Sequence, residues 1–170
     1  ESLGGQRTYV SPVLYEQDGS KLIVALTAHH VLGIMPENGK IAWHYEYLPP
    51  EGAAGRGATN STNSPITRGN EIFVSKGYDQ YGVMLKVSPD MNSVEEKWRT
   101  SVLDTHHGHY VNVGDYLYGS NWQSNSTGNW VCLEWDTGEV MYEENWNTKG
   151  SISLADGLVY SYEARGGHVA

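Results

Sequence analysis

The chain has 170 residues, 11 of them basic and 20 acidic, and its formal net charge at pH 7 is −9. A chain of this length folds as one domain that buries about 70% of its unfolded surface, and its acidic balance argues against nucleic acid or an anionic membrane as a partner, since both need clustered Lys and Arg. The single cysteine, Cys132, excludes an intrachain disulfide, and no apolar run is long enough to predict a transmembrane helix.

Short stretches of alternating apolar and polar residues recur along the chain and predict an all-β fold. In chain order they are residues 21–27, 71–77, 115–121 and 157–163. Each stretch follows a turn signal typical of a β-hairpin, and these turns contain Gly19, Gly69, Gly114 and Gly157. The 6 Trp and 12 Tyr, set among 20 Gly, also favour sheets over helical bundles.

The turns recur at a regular distance, which indicates repeated units. The four hairpin glycines are separated by 50, 45 and 43 residues, a spacing within the range of four-stranded propeller blades. A second landmark follows the same period, because residues 31–43 and 130–142 superimpose position by position. In both segments a small residue precedes a large ring by ten positions, Gly33 before Trp43 and Cys132 before Tyr142.

These repeats resemble the quinoprotein-type β-propellers, whose blades carry the pattern Ala-x-Asp-x-x-Thr-Gly-x-x-x-Trp. That family includes pyrroloquinoline-quinone (PQQ) alcohol dehydrogenases and BamB-like outer-membrane assembly lipoproteins. The resemblance implies an all-β propeller of the PQQ-like repeat type with four-stranded antiparallel blades. It also implies that Trp43, Trp98 and Tyr142 wedge between neighbouring blades, while the small residue ten positions earlier makes room for close packing. The pattern is specific for fold and much less so for activity.

The units predict one propeller segment, residues 1–170, of about 3.5 blades. We place blades at 9–47, 64–100 and 109–145, an interblade loop at 48–63, and an incomplete blade at 150–170. A blade buries both faces against its neighbours, so an open array leaves an apolar face bare at each end. We therefore expect the remaining blades of a longer chain, or another copy of this chain, to complete the ring.

The loop at 48–63 is long for a compact domain, and loops of this length are often functional. It is either an excursion between blades or a lid over the central face. Arg56 is its only charged residue after Glu51 and is the residue to test under the second interpretation.

The segment Asp-Thr-His-His-Gly-His at 104–109 is predicted to precede the first strand of the third blade, at the mouth of the central channel. Period-two alternation would place His107 and His109 on one face and His106 on the other. Three interpretations stay open: hydrogen bonding to neighbouring loops, polar binding at the channel mouth, and metal or acid–base chemistry. A metal site needs a further ligand, for which nearby sequence offers only Asp104.

A polar loop at 120–130 follows in the same blade and contributes Asn121 and Trp122. Its aromatic residues could either pack between sheets or stack on a sugar or peptide. We predict a binding site for a peptide, sugar or partner loop, with no catalytic and no metal-ligating residues, formed by His106, His107, His109, Asn121 and Trp122.

The function predicted from the resemblance is a binding or scaffold module of an exported bacterial protein, periplasmic or associated with the outer membrane. Whether the protein is an enzyme stays open, and the cofactor is unknown. The alternative is a quinone-dependent alcohol or sugar dehydrogenase with PQQ and calcium. The sequence lacks the adjacent cysteines of that group, and it also lacks a Gly-x-Ser-x-Gly elbow, a phosphate-binding glycine loop and a His-Glu-x-x-His motif.

Overall fold

The computed structural model describes residues 8–48 and 60–170. Its strands form three four-stranded sheets and one two-stranded sheet. The first sheet contains β1 (Val13–Gln17), β2 (Ser20–Leu26), β3 (His30–Ile34) and β4 (Ile41–Glu46), and the second contains β5 (Ile66–Arg68), β6 (Glu71–Ser75), β7 (Gly82–Val87) and β8 (Val94–Thr100). The third contains β9 (Tyr110–Val113), β10 (Tyr116–Ser120), β11 (Trp130–Glu134) and β12 (Val140–Glu144), and the last contains β13 (Gly150–Ala155) and β14 (Leu158–Glu163).

Within each sheet every strand pairs antiparallel with the next strand along the chain. The last sheet begins a third strand, because Val169 forms a bridge with Tyr162. This arrangement confirms the prediction of an all-β propeller segment with four-stranded antiparallel blades, about 3.5 of them. No helix in the described part of the chain is long and apolar enough to cross a membrane.

The predicted hairpin glycines lie in the turns between the first two strands of each blade. In the first blade Gln17 pairs with Ser20 across a two-residue turn, in which Asp18 has φ 48° and Gly19 has φ 79°. Positive φ at both central residues matches the twist of the flanking strands, and Asp-Gly tolerates it at little cost. The local sequence alone therefore sets the register of this hairpin.

The first two blades pack through Trp43, as the repeat pattern predicts. Trp43 lies opposite Gly33 in the β3–β4 pair and is buried in a core that includes Ile72 and Val83 of the second blade. A Cβ atom on Gly33 would lie 2.2 Å from the Trp43 ring. The glycine therefore provides the space in which the indole lies flat against its own sheet.

The second and third blades pack through Trp98 and Trp135. Phe73, Leu103, Tyr110 and Trp135 are fully buried in this second core, and the partly buried Trp98 packs against them. The Trp135 indole N–H donates a 2.5 Å hydrogen bond to Oε2 of Glu71 in the neighbouring blade. Apolar burial and a satisfied indole together fix the relative position of these two blades.

Tyr142 does not dock as predicted, because its side chain stays 42% exposed. It lies in β12, all of whose residues are exposed. The last blade packs β13 against the inner strands β9 and β10, and the described residues contain no outer strand of that blade to cover β12. The prediction for Tyr142 is therefore wrong for this segment, since a docking ring needs a complete neighbouring blade.

Candidate functional site

The predicted site residues lie at one end of the blades. In an antiparallel meander, successive connections alternate between the two ends of the sheet. The connections β2–β3, β6–β7 and β10–β11 therefore lie at the same end as the connections between blades. This end carries His106 and His107, between the second and third blades, and Trp122, between β10 and β11. We call it the loop rim.

The histidine segment is a loop, and the prediction of strand-like alternation within it is wrong. Gly108 has φ 107° and His109 has φ 67°, conformations that interrupt an extended chain before β9 begins at Tyr110. As a result the rings of His106 and His107 lie side by side, with centroids 3.8 Å apart. The His109 ring instead packs edge-on against Tyr110, at 5.0 Å.

Tyr78, which the sequence analysis did not select, joins His106 to Trp122. Its ring lies 4.3 Å from the His106 ring in an edge-on arrangement and 5.0 Å from the Trp122 ring. Three separate connections thus bring together one imidazole, one phenol and one indole. The sequence carries one local signal for a turn at Tyr78, because Tyr78 follows Gly77 shortly after β6. Its partners His106 and Trp122 are distant in sequence, so no local pattern indicates that the three rings meet.

The loop that carries Tyr78 has an unusual backbone. Tyr78, Asp79 and Tyr81 all have positive φ, between 59° and 68°, and Gly77 has φ 77°. Such conformations cost of order 1–3 kcal/mol each for residues other than glycine, so the surrounding structure must impose them. Gly77 is required here, because a Cβ atom would lie 2.6 Å from Cα of His106.

A buried carboxyl group faces this strained backbone. Asp104 is 3% exposed, and burial raises its pKa to about 7, although the backbone amides of Asp79, Gly77 and Gln80 lower the pKa in part. Several amides turned toward one anion form a concave nest. The Asp104 carboxyl is therefore buried next to the Tyr78 loop, and its Oδ1 has no hydrogen-bond partner among the described residues.

The histidine loop is held from the other side by Asn63. Its Nδ2 donates to the carbonyl oxygens of Thr105 and His106 at 2.8 and 3.0 Å, and its Oδ1 accepts from the backbone N–H of His109 at 3.0 Å. The Thr62 hydroxyl also donates to the His106 carbonyl. These bonds preorganise the backbone that carries His106 without using its ring.

Asn121 has a positioning role. Its side chain is buried, donates to Oε1 of Glu143 at 2.9 Å and accepts from the backbone N–H of Asn129 at 2.7 Å. These bonds hold the 121–129 loop against β12. The polar atoms of Asn121 are therefore used within the blade.

Trp122 has a different role, because its ring stays half-buried at the rim beside Tyr78. Its backbone N–H donates a 2.8 Å hydrogen bond to the Asp104 carbonyl oxygen. This bond ties the β10–β11 connection to the segment that carries the histidines. The indole face therefore has a fixed position next to the Tyr78 ring.

A cavity of about 370 Å³ opens at the loop rim next to these rings. Its lining combines aromatic faces with neutral donors and acceptors, and consists of Tyr9, Asn60, Thr62, Tyr78, His106 and His107. Burial lowers the pKa of His106 to about 4 and also lowers the pKa of His107. Both imidazoles are therefore neutral at pH 7, and each offers one N–H donor and one acceptor nitrogen.

The rim residues do not fit the calcium and quinone of the dehydrogenases. Within residues 8–48 and 60–170 no three His, Cys, Asp or Glu side chains lie close enough to hold a metal ion. The carboxyl of Asp104 faces backbone amides, and Cys132 is buried within the third blade.

Three other histidines, His30, His44 and His168, do not line the cavity, and Arg56 lies outside the described residues. His30 begins β3 and packs edge-on against His44, at 5.7 Å. His168 contacts Glu163 in the last blade, with 3.2 Å between Nδ1 and Oε2. Arg56 and most of the loop at 48–63 lie outside the described residues, so the lid stays a prediction.

Comparisons with known proteins agree with this architecture. The family model described as "Outer membrane protein assembly factor BamB" matches residues 1–144. Among solved structures, the computationally designed Ika4 protein is similar in fold, with a TM-score of 0.64 and 12% identity over 99% of this chain and 93% of that one.

A second solved structure, BamB from Moraxella catarrhalis, gives a TM-score of 0.47 and 13% identity over 92% of this chain. The match spans 61% of the length of that BamB chain. No curated protein matches the sequence.

Proposed function

Because this chain belongs to the family described as outer membrane protein assembly factor BamB, we propose that it is a binding or scaffold module that recognises a ligand or partner at the loop rim. The observation that carries the proposal is the convergence of His106, Tyr78 and Trp122, from three different connections, beside a cavity of about 370 Å³. Concave sites with aromatic walls and a few polar groups are typical of binding sites.

The chemistry of the rim favours binding over catalysis. His106 and His107 are neutral at pH 7, and the buried acid nearest to them in sequence, Asp104, faces backbone amides. Aromatic faces can stack on a sugar ring or an apolar peptide side chain, while neutral imidazoles supply directional hydrogen bonds.

The rim is also preorganised, which lowers the entropic cost of binding. Asn63 fixes the backbone of the histidine loop through three hydrogen bonds. Asn121 fixes the loop that carries Trp122 through two. In this proposal Asn121 and the His109 backbone position the contacts, and His106, His107 and Trp122 make them.

The wider context is proposed from the family. We assign the chain to an exported bacterial protein, periplasmic or associated with the outer membrane, in which it contributes blades to a larger ring. The exposed apolar side chains of the last blade support the larger ring only, since Leu154, Leu158 and Tyr162 are between 46% and 60% exposed. Further blades of a longer chain, or another copy, would cover them together with Tyr142.

The experiment that tests the binding proposal compares three variants on peptide and glycan arrays. His107→Ala and Trp122→Ala should each weaken binding of the array ligands by roughly threefold to tenfold, the range expected for losing one aromatic contact. Tyr116→Ala is the matched control, because Tyr116 is an exposed ring beside the Gly114 turn at the opposite end of the third blade. Unchanged binding in both rim variants, with folded protein, would remove the loop rim from consideration.

A further inference from the structure

The cavity at the loop rim has a neutral lining. It is formed by two tyrosines, two histidines, an asparagine and a threonine, namely Tyr9, Asn60, Thr62, Tyr78, His106 and His107. Among the described residues, no Asp, Glu, Lys or Arg belongs to this lining. Both imidazoles are neutral at pH 7, because burial lowers the pKa of each. The lining therefore offers no counter-charge to an ion, and burying an unpaired ion is costly.

The polar groups of the lining can both donate and accept hydrogen bonds. A neutral imidazole has one donor and one acceptor nitrogen, and the Asn60 amide also has groups of both kinds. The Thr62 hydroxyl donates to the His106 carbonyl and keeps its lone pairs as acceptors. His106 is 8% exposed, and its Nδ1 has no hydrogen-bond partner in the part of the chain that the structure describes. A ligand group that donates and accepts, such as a hydroxyl, matches this wall.

The aromatic rings at the rim are tilted against one another. The Tyr78 ring makes an angle of 64° with the His106 ring and 45° with the Trp122 ring, and the His106 and His107 rings are tilted by 52°. None of these pairs forms a parallel slot that would stack on both sides of a flat heterocycle. A puckered ring fits tilted walls better, because its C–H groups lie on one aromatic face while its polar substituents point to the sides.

Tyr9 adds an exposed ring on a fixed backbone. Its backbone N–H donates a 2.9 Å hydrogen bond to the Ser61 carbonyl oxygen, and the hydroxyl of the preceding Thr8 donates a 3.0 Å bond to the Leu26 carbonyl oxygen. The Tyr9 side chain is nevertheless 71% exposed. These bonds hold the backbone against the loop rim and leave most of the phenol surface available to a ligand in the cavity.

The cavity wall is made of connections between strands. All six lining residues lie outside β1 to β14. An extended peptide is commonly bound by adding a strand to a sheet edge, where backbone groups pair along its length. Since no described lining residue belongs to a strand, aromatic faces and side-chain hydrogen bonds must carry the recognition. These contacts favour a compact ligand over an extended peptide.

We propose that the cavity binds a neutral sugar ring, a pyranoside whose C–H face lies on Tyr9 or Tyr78 and whose hydroxyls bond to Asn60 and His106. The inference rests on the proposed function and names the class of ligand for the same site. Sugar C–H groups carry a partial positive charge, which the negative face of an aromatic ring attracts. The volume of about 370 Å³ lies near the lower end of the range of small-molecule sites, roughly 300–1,000 Å³, and suits a short saccharide.

Methyl glucoside, methyl galactoside, their uronic-acid counterparts and benzamide are the probes, and saturation-transfer difference NMR on the folded chain is the measurement. At least one neutral pyranoside should bind with a millimolar Kd, and its strongest signals should come from ring C–H protons. The matching uronate should bind at least about threefold more weakly, because its carboxylate loses hydration without gaining a counter-charge. Benzamide, a flat neutral ring, should also bind more weakly than the pyranoside.

Substitution of Tyr9 tests where the sugar binds. Tyr9→Ala should raise the Kd of the pyranoside by roughly threefold to tenfold, the range expected for losing one aromatic contact. Tyr9→Phe should retain the affinity, because the ring face stays. Since the Tyr9 side chain is 71% exposed, both variants should fold. Tyr160→Ala is the matched control, because Tyr160 is an exposed tyrosine of β14 that does not line the cavity.

Absence of pyranoside binding up to about 50 mM, well above a Kd in the low millimolar range, would overturn the inference. So would equal binding of the uronate, tighter binding of benzamide, or an unchanged affinity in Tyr9→Ala. The proposed function can survive this failure, because array peptides that depend on His107 and Trp122 would still show a binding rim. If no pyranoside binds and the rim variants have no effect on the arrays, the two proposals are rejected together.

Discussion

The indole N–H of Trp98 donates a 3.0 Å hydrogen bond to the carbonyl oxygen of Trp135, and this bond joins the second blade to the third. The Trp98 ring also covers Gly138, where a Cβ atom would lie 2.8 Å from the indole. The docking ring of one blade thus packs against the β11–β12 turn of the next. The stability of the segment therefore depends on contacts between blades as well as on pairing within them.

Replacing Trp98 tests this dependence. Trp98→Ala should lower the free energy of unfolding by about 2–4 kcal/mol, because it removes a large packed ring and one hydrogen bond between blades. Tyr142→Ala should cost less than about 1 kcal/mol, since Tyr142 is the corresponding ring of the third blade but lies 42% exposed. Urea unfolding followed by far-ultraviolet circular dichroism gives both values. Equal losses of stability in the Trp98→Ala and Tyr142→Ala variants would contradict the docking role of Trp98.

The contact between Gly33 and Trp43 gives a second prediction. Gly33→Ala should destabilise the chain by about 1–3 kcal/mol, because the added methyl group overlaps the Trp43 ring, 2.2 Å away. Gly19→Asn is the control at a glycine with open space around it, and Asn tolerates the positive φ of that turn. Thermal unfolding compares the two variants. A Gly33→Ala variant as stable as the unaltered chain would show that the indole can move aside.

Because of Lys76, the stability of the chain should change with pH in the alkaline range. Its buried Nζ donates to the Ala28 carbonyl at 2.7 Å, and burial lowers its pKa to about 8. The lysine in the unfolded chain keeps its ordinary pKa near 10.5. Between these values the unfolded chain binds more protons, so the contribution of Lys76 to stability rises with pH.

The measurement for Lys76 is urea unfolding from pH 7.5 to pH 9.5, compared with Lys76→Met. The stability of the unaltered chain should rise relative to the variant by up to about 1.4 kcal/mol per pH unit above pH 8. The comparison removes the titration of other groups, including Tyr47, whose ring centroid lies 4.1 Å from the ammonium. A constant difference between the two proteins would contradict the lowered pKa.

Asp104 should have the opposite effect at acidic pH. Its pKa is raised to about 7 by burial, well above the ordinary value of about 3.9. The folded chain therefore binds more protons between about pH 4 and pH 7, and the contribution of Asp104 to stability falls as pH rises through this range. Asp104→Asn should lack this component, so the stability difference between the two proteins, measured by urea unfolding, should change across the range. A stability difference that does not change between about pH 4 and pH 7 would show that the pKa of Asp104 is not raised.

Local sequence was sufficient to predict the blades. Alternating residues specify which side of a strand is buried, and turns such as Asp18-Gly19 specify where it reverses, because both depend only on neighbouring residues. The resemblance also implied that Gly33 makes room for the docking ring of Trp43, and the structure shows that ring buried between the first two blades and packed on Gly33. The strand alternation and the turns lie within one blade and do not depend on how the neighbouring blades pack.

The composition of the loop rim depended on the tertiary structure. The sequence predicted His106, His107 and Trp122 near the channel mouth, but Tyr78 joins them only because separate connections meet at one end of the blades. The positive φ angles of Gly108 and His109 are likewise why the side chains of the histidine segment do not alternate between two faces as predicted. Contacts between distant loops, and exposure at an uncovered face such as that of β12, depend on what packs alongside, which short-range patterns do not encode.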